Sequence, residues 1–349
     1  MDKILFILLS NNQIDFMKAL KILLVSLTAI VLIYFVGPRM PKPILNQNLP
    51  KIEGSVANYV SNMESKPGMQ IRPGCEAKIV WACDSTRQST EYVLLYLHGF
   101  SATRREGYPV NEDFARHFGC NAFLSRLASH GLVTENPLID MTPGLLYESA
   151  KEALAVAHQL GKKVIIMGCS TGCTLAIQLA ADFPDLVDGM ILYSPNVQIK
   201  QKKAALVSGP WGLQIARMNY GGNFRVTDDD PNGEVCKFWY CKYRIESIVY
   251  LQQLLDATMK KEVFEKVKCP VFVGYYYKDE QHQDEIVEVQ AAIQMMDVLG
   301  TPASARKKMA FANAGDHVMA CDLTSGAVPE VRNATYAFAE EILKMKPVK

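Results

Sequence analysis

Val164-Ile165-Ile166-Met167-Gly168-Cys169-Ser170-Thr171-Gly172-Cys173-Thr174-Leu175-Ala176-Ile177-Gln178-Leu179-Ala180 is the stretch that decides how this chain is read. It opens on an apolar run, passes through Gly168-Cys169-Ser170-Thr171-Gly172, and ends in a helical pattern. A G-x-S-x-G pentapeptide has meaning in that strand-turn-helix context, because the turn must be sharp and strained to lift the serine above the sheet. Glycine on either side removes Cβ atoms that would clash there. The helix that follows points its N-terminus at the reacting centre. The pentapeptide alone arises by chance in many chains, and its flanks make it specific.

Outward from this turn, short β-rich runs alternate with longer helical patterns. The runs are Lys78–Trp81, Tyr92–Leu97, Ala122–Leu124, Val164–Met167, Met190–Tyr193, Val271–Tyr276 and Lys308–Phe311. They are continuously apolar rather than strictly alternating, as strands buried on both faces are. The expected class is α/β, with a mostly parallel central sheet and helices on both faces. Thr142-Pro143 reads as N-cap and first position of a helix to about Leu160, with Gly161 where it stops. The stretch 196–266 breaks the rhythm with Gly209-Pro210, Gly221-Gly222 and Asp230-Pro231-Asn232-Gly233, and with a dense aromatic set that includes Trp211, Trp239 and Tyr243. It is too long for an ordinary connection between strands, and reads as a cap inserted over the active site.

The chain has 349 residues, 49% of them hydrophobic, enough for one large domain with an inserted cap. Its 37 basic and 36 acidic side chains leave a net charge of +1, which argues against a nucleic-acid partner. The nine cysteines form no C-x-x-C pair or Cys/His cluster, so no structural metal is expected. Cys75 with Cys83 and Cys236 with Cys241 are the pairs that an oxidising compartment would allow to bridge. The rest read as small buried apolar residues.

Ile22 to Gly37 carries no charge, and with Ala19 and Leu20 it approaches the length of a bilayer span, about 20 residues. No small-x-small cleavage site follows, and the Pro-rich stretch Pro38, Pro41, Pro43 does. Residues 1–42 therefore read as an uncleaved signal anchor and linker, and residues 43–349 as the catalytic domain. Met17-Lys18-Ala19-Leu20-Lys21 has the form of a signal n-region, with Met17 an alternative start. Flanking Lys and Arg nearly balance across the span. An extracytoplasmic catalytic domain, periplasmic or at the cell surface, is the expected orientation.

A serine hydroxyl needs a base, the base needs an orienting acid, and the developing oxyanion needs backbone N–H donors. His317, in Ala314-Gly315-Asp316-His317-Val318 beyond the last β-rich run, is the expected base. His282 competes but lies in a polar stretch, and His117, His130 and His158 read as structural or exposed. Asp279, just past the run Val271–Tyr276, is the preferred acid, and Asp284 is the alternative. Asp256 and Asp316 are more remote candidates. His98-Gly99-Phe100 ends an apolar strand, so the Phe100 N–H and the Thr171 N–H are the expected oxyanion donors.

The order His98-Gly99, Ser170 in G-x-S-x-G, a strand-end Asp and Gly-Asp-His resembles the α/β-hydrolase superfamily over about residues 77–345. Within it, the pattern is similar to the branch of carboxylesterases and monoacylglycerol-lipase-like enzymes with an inserted cap. The resemblance implies Ser170 as nucleophile, His317 as base and then acid, Asp279 as orienting acid, donors from Phe100 and Thr171, and no cofactor. The chain departs from the pattern in the polar residues after Asp279, which leave the acid open. It also departs in Cys169 and Cys173, which crowd the turn as small residues or as an oxidant-sensitive pair. The expected activity is hydrolysis of carboxylic esters, including lipid esters, through an acyl-enzyme. A thioesterase, an acyltransferase or a peptidase is the alternative on the same fold, because fold does not set substrate. A non-catalytic binding protein on a hydrolase scaffold is the alternative from another class.

Overall fold

The computed structural model describes residues 2–227, 230 and 232–348. Pro231, part of the expected turn Asp230-Pro231-Asn232-Gly233, lies outside the described residues. Seven strands form one sheet: β1 (Lys78–Val80), β2 (Thr90–Leu97), β3 (Asn121–Leu124), β4 (Gly161–Cys169), β5 (Gly189–Tyr193), β8 (Val271–Tyr275) and β9 (Arg306–Ala310). Their order is β1-β3-β2-β4-β5-β8-β9, parallel throughout except where β1 runs against β3. Between β5 and β8, β6 (Phe224–Val226) and β7 (Lys242–Arg244) make a separate antiparallel pair. β9 is an edge strand with Lys307 and Lys308 exposed on it, a composition that discourages pairing with another chain.

The continuous apolar runs are explained by two cores, one on each face of the sheet. Val93, Leu95 and Leu97 of β2 and Val164 and Ile166 of β4 enter one core. Leu94 and Tyr96, with Ile165 and Met167, enter the other. The first face is covered by α4 (Pro143–Leu160) and α5 (Thr171–Asp182), with α7 (Glu246–Thr258) packed on both. The second is covered by α3 (Val110–Phe118) and α10 (Val328–Glu341). α4 begins as expected, with the Thr142 side chain accepting the Leu145 N–H and Pro143 in the first turn. It stops at Gly161, which is extended at φ −161° and opens β4 directly, so no left-handed cap is used. Gly161 is needed for space instead, since a Cβ there would lie 2.6 Å from Val93 Cβ.

The N-terminal helix α1 spans Asp2–Phe35, and its part Phe16–Phe35 has a mean hydropathy of 2.2 with none of it buried. The end of this helix and the linker after it are docked on the body. Trp211 donates from its backbone to Pro38 O and from its ring to Ile33 O, and Gln253 donates to Pro41 O. Farther along, Lys151 donates to Asn48 O. The remaining helices are α2 (Val56–Glu64), capped by Ser55, α6 (Gly212–Asn219), the short α8 (Lys261–Phe264) and α9 (Val289–Val298).

Candidate active site

Ser170 stands between the end of β4 and the start of α5 with φ 51° and ψ −115°, a strained backbone for a residue with a Cβ. The two glycines of the pentapeptide are required by space. A Cβ on Gly172 would lie 1.9 Å from Leu97 O, and one on Gly168 would lie 2.9 Å from the Gly172 backbone. The turn is pinned by the Ser170 N–H to Tyr193 O at 3.0 Å and by the Asn196 N–H to Ser170 O at 3.2 Å. Cys169 and Cys173 on either side are fully buried, and burial pushes both thiols well above their ordinary range. They are therefore inert neighbours of the serine rather than reactive thiolates.

His317 lies on the loop between β9 and α10, where Ser194 Oγ donates to its carbonyl at 2.7 Å. Its Nδ1 is 2.6 Å from Asp284 Oδ2. Asp284 is fully buried, and its Oδ1 accepts the N–H groups of Ile286 at 2.9 Å and Val287 at 3.1 Å. Burial works against the ionised form of Asp284, but His317 and these two donors outweigh it and hold the carboxyl below its ordinary value. Burial likewise works against a charged His317, but Asp284, and behind it Glu106, raise the imidazole above its ordinary value.

The acid preferred from the sequence, Asp279, is not beside His317. It accepts from His282 Nδ1 at 2.8 Å and from the His282 backbone at 2.8 Å, with both side chains about half exposed. The reason is local. Tyr277 bridges Gln283 in a tight turn that carries Asp279 into solvent, and the chain returns so that the Asp284 N–H reaches Tyr276 O. Asp284 is thereby closer in space to the strand end than its place in the sequence suggests. Of the more remote acids, Asp256 accepts from Ser208 Oγ at 2.6 Å and does not line the cavity, while Asp316 caps the Val318 N–H at 2.7 Å and stands on the wall of the cavity shared by Ser170 and His317.

The turn after β2 is the most heavily braced part of the site. His98 Nδ1 is 2.9 Å from Gly99 O, and its Nε2 accepts the Leu127 N–H at 3.0 Å. His130 Nε2 accepts the Ser101 N–H at 3.1 Å. Both imidazoles are buried, and that burial lowers them below their ordinary value, so they act as neutral struts. With these groups occupied, the N–H groups of Phe100 and Thr171 have no hydrogen-bond partner among the described residues. The Gly99 N–H, by contrast, is taken by Glu106 Oε2 at 2.6 Å. Sequence reading passed over Glu106, because an acid following Arg104 and Arg105 looks like part of a solvated charge cluster.

Ser170, His317, Phe100 and Glu106 share the wall of a cavity of about 480 Å³. Its outer lining comes mainly from the segment between β5 and β8, including Leu206, Ile215, Trp239 and Tyr243. Tyr243 packs edge-on against Phe100 with ring centroids 5.0 Å apart. Cys236 and Cys241 of this segment are joined by a disulfide, while Cys75 and Cys83 are both free. The buried Asn196 Oδ1 has no partner among the described residues, and Asn196 also lines the cavity. No cluster of metal-ligating side chains occurs among the described residues.

This sheet order, with a serine turn after the strand beside β2, is the α/β-hydrolase fold, and comparison with solved structures agrees. A metagenome-derived lipolytic enzyme from the LipS and LipT pair superposes with a TM-score of 0.62 at 18% identity, over 78% of this chain and all of the other. The monoacylglycerol lipase of Paleococcus ferrophilus gives 0.53 at 13% identity, over 77% and 98%. DcsB, solved with a substrate analogue, gives 0.52 at 16% identity, over 73% and 92%. At such identities the likeness is one of fold. No protein-family model matches the chain, and no curated protein matches it.

Proposed function

We propose that the protein is a membrane-anchored serine hydrolase of carboxylic esters. The observation that carries the reading is His317, held by Asp284, on the wall of the same cavity as a serine on a strained strand-to-helix turn. In this reading Ser170 Oγ attacks the ester carbonyl while His317 takes its proton, and Asp284 fixes the imidazole with its Nδ1 proton inward. The Phe100 and Thr171 N–H groups hold the oxyanion. Collapse of the tetrahedral intermediate expels the alkoxide, which leaves as the alcohol with the proton from His317, and Ser170 keeps the acyl group. Water then gives a proton to His317, attacks the acyl carbon, and releases the acid as the proton returns to Ser170.

The apolar outer lining suits an apolar acyl group, and the neighbours named as lipolytic enzyme and monoacylglycerol lipase are consistent with that chemistry. The segment 196–266 is assigned here as the cap. Supporting that reading, the segment contributes cavity-lining residues from Ile199 to Leu251, and α7 also packs on α4 and α5. The exposed apolar helix Phe16–Phe35 supports an anchor, and the Cys236–Cys241 disulfide supports an oxidising, extracytoplasmic setting.

The test is labelling of the full-length protein in detergent by a fluorescent fluorophosphonate, beside Ser170→Ala and His317→Ala. The wild type takes the label, Ser170→Ala takes none, and His317→Ala is slowed by roughly 10³-fold or more. A folded wild type that stays unlabelled, or a Ser170→Ala variant that labels, would overturn the assignment. The first result would favour a binding protein on a hydrolase scaffold.

A further inference from the structure

Glu106 sits in the short turn Arg104–Gly107 after β2, is 2% exposed, and still reaches the cavity wall beside Ser170. Its Oε2 accepts the Gly99 N–H at 2.6 Å and is 3.3 Å from the Tyr96 hydroxyl. Its Oε1 occupies the space that a side chain on Gly99 would need. A Cβ there would lie 2.7 Å from this oxygen and 3.2 Å from Ser170 Cβ. The carboxyl is therefore wedged beneath the turn that carries the Phe100 N–H and against the root of the nucleophile.

We propose that Glu106 is a third ionisable group of the reaction centre, a positioning residue that seats the His98-Gly99-Phe100 turn and whose negative charge, when present, opposes the oxyanion. The proposal rests on the Ser170 mechanism given above.

The surroundings of Glu106 offer little to hold a charge. Tyr96 faces it from β2, Cys169 from β4, Cys173 from α5, and Cys321 and His317 from the loop before α10. Of these, only His317 can be a cation. The arginines on its own turn point elsewhere, Arg105 to Asp322 at 2.7 Å and Arg104 to Glu76 O at 2.7 Å. Burial accordingly pushes Glu106 up to about 7, against the opposing pull of the Gly99 N–H, His317, Tyr96 and Cys169.

The consequence is a constraint on pH. His317 must lose its proton to serve as base, and its raised value delays that loss. Glu106 must keep its proton, or a carboxylate stands beside donors that are meant to bind an anion. The two ionisations belong to the pair, and acylation rises and then falls across the neutral range.

The experiment is the fluorophosphonate labelling rate of full-length protein from about pH 5 to about pH 9.5. The wild type is expected to fall by on the order of tenfold on the alkaline side. Glu106→Gln, which keeps an oxygen to accept the Gly99 N–H, is expected to keep an acid limb, moved to lower pH because Glu106 no longer raises His317, and to hold a plateau above it. Tyr96→Phe is the second variant. It removes a donor to the carboxylate, so its alkaline limb moves to higher pH.

A wild type that labels without an alkaline fall, or a Glu106→Gln profile that overlays the wild type, overturns the proposal and leaves the Ser170 mechanism intact. Should Glu106→Gln fail to fold, an unmoved alkaline limb in Tyr96→Phe overturns it. A wild type with no labelling at any pH removes the mechanism first and the proposal with it.

Discussion

Asp284 and Glu106 are both buried carboxyls that act on His317, and they are driven in opposite directions. Asp284 has an imidazole at 2.6 Å and two backbone N–H donors on its other oxygen, so it stays ionised despite complete burial. Glu106 has one backbone donor, one distant hydroxyl, thiols for neighbours and His317 without a direct hydrogen bond, and burial prevails. Burial alone therefore does not set the charge of a carboxyl; the number and strength of its donors do. In the proposed mechanism one acid stabilises a cation that forms during reaction, and the other stands neutral near an anion that forms.

The sharpest way to break this contrast is at Asp284. In Asp284→Asn the side-chain oxygen keeps the Ile286 and Val287 N–H groups, and the amide nitrogen then faces His317 Nδ1 as a donor. His317 is forced to carry its proton on Nε2, the side that receives the proton from Ser170 in the proposed mechanism. The fluorophosphonate labelling rate should fall by roughly 10³- to 10⁴-fold with the fold preserved. A loss of less than about tenfold would mean that another group orients the imidazole, and the assignment of Asp284 would fail.

Why Asp284 was not the first choice from the sequence bears on what a sequence can reveal. The turn around Ser170 was legible because its requirements are local: two glycines, an apolar strand before and a helix after. The seven strands were legible for the same reason, since burial on both faces writes itself as uninterrupted Val, Ile and Leu. The partner of His317 was not, because Asp279 and Asp284 share one loop and differ only in whether the chain turns outward before it comes back. That choice depends on the Tyr277–Gln283 pairing and on the place reserved for His317, which are tertiary facts. Glu106 was less legible still, since its neighbours in sequence are arginines and its neighbours in space are Gly99, Tyr96 and Cys169. The disulfide shows the same division: spacing allowed two pairings, and the fold brings only Cys236 and Cys241 together.

Gly99→Ala tests the other half of the contrast by crowding the carboxyl rather than removing it. The new methyl would meet Glu106 Oε1 at 2.7 Å and Cys169 O at 3.3 Å, so the Glu106 side chain must yield. It is confined by Tyr96 and Cys169, and yielding costs it the Gly99 N–H. The labelling rate should drop by roughly 10- to 100-fold, with about 1–3 kcal/mol lost in thermal or denaturant unfolding. A variant with the wild-type rate and pH profile would show that the turn does not depend on where Glu106 sits.

The smallest effect is expected at Asp279, and its smallness is informative. Asp279 and His282 make a contact nearly as short as that of Asp284 and His317, 2.8 Å against 2.6 Å, yet both side chains of the former are about half exposed. Water screens such a pair and its loss is cheap, whereas the buried pair has no solvent to replace a lost partner. Asp279→Asn should label within about twofold of wild type across the pH range and unfold at a temperature indistinguishable from it. A loss as deep as that of Asp284→Asn would mean that the 277–283 turn folds inward in solution, exchanging the two aspartates. Distance between an acid and an imidazole does not separate the two sites here; what surrounds them does.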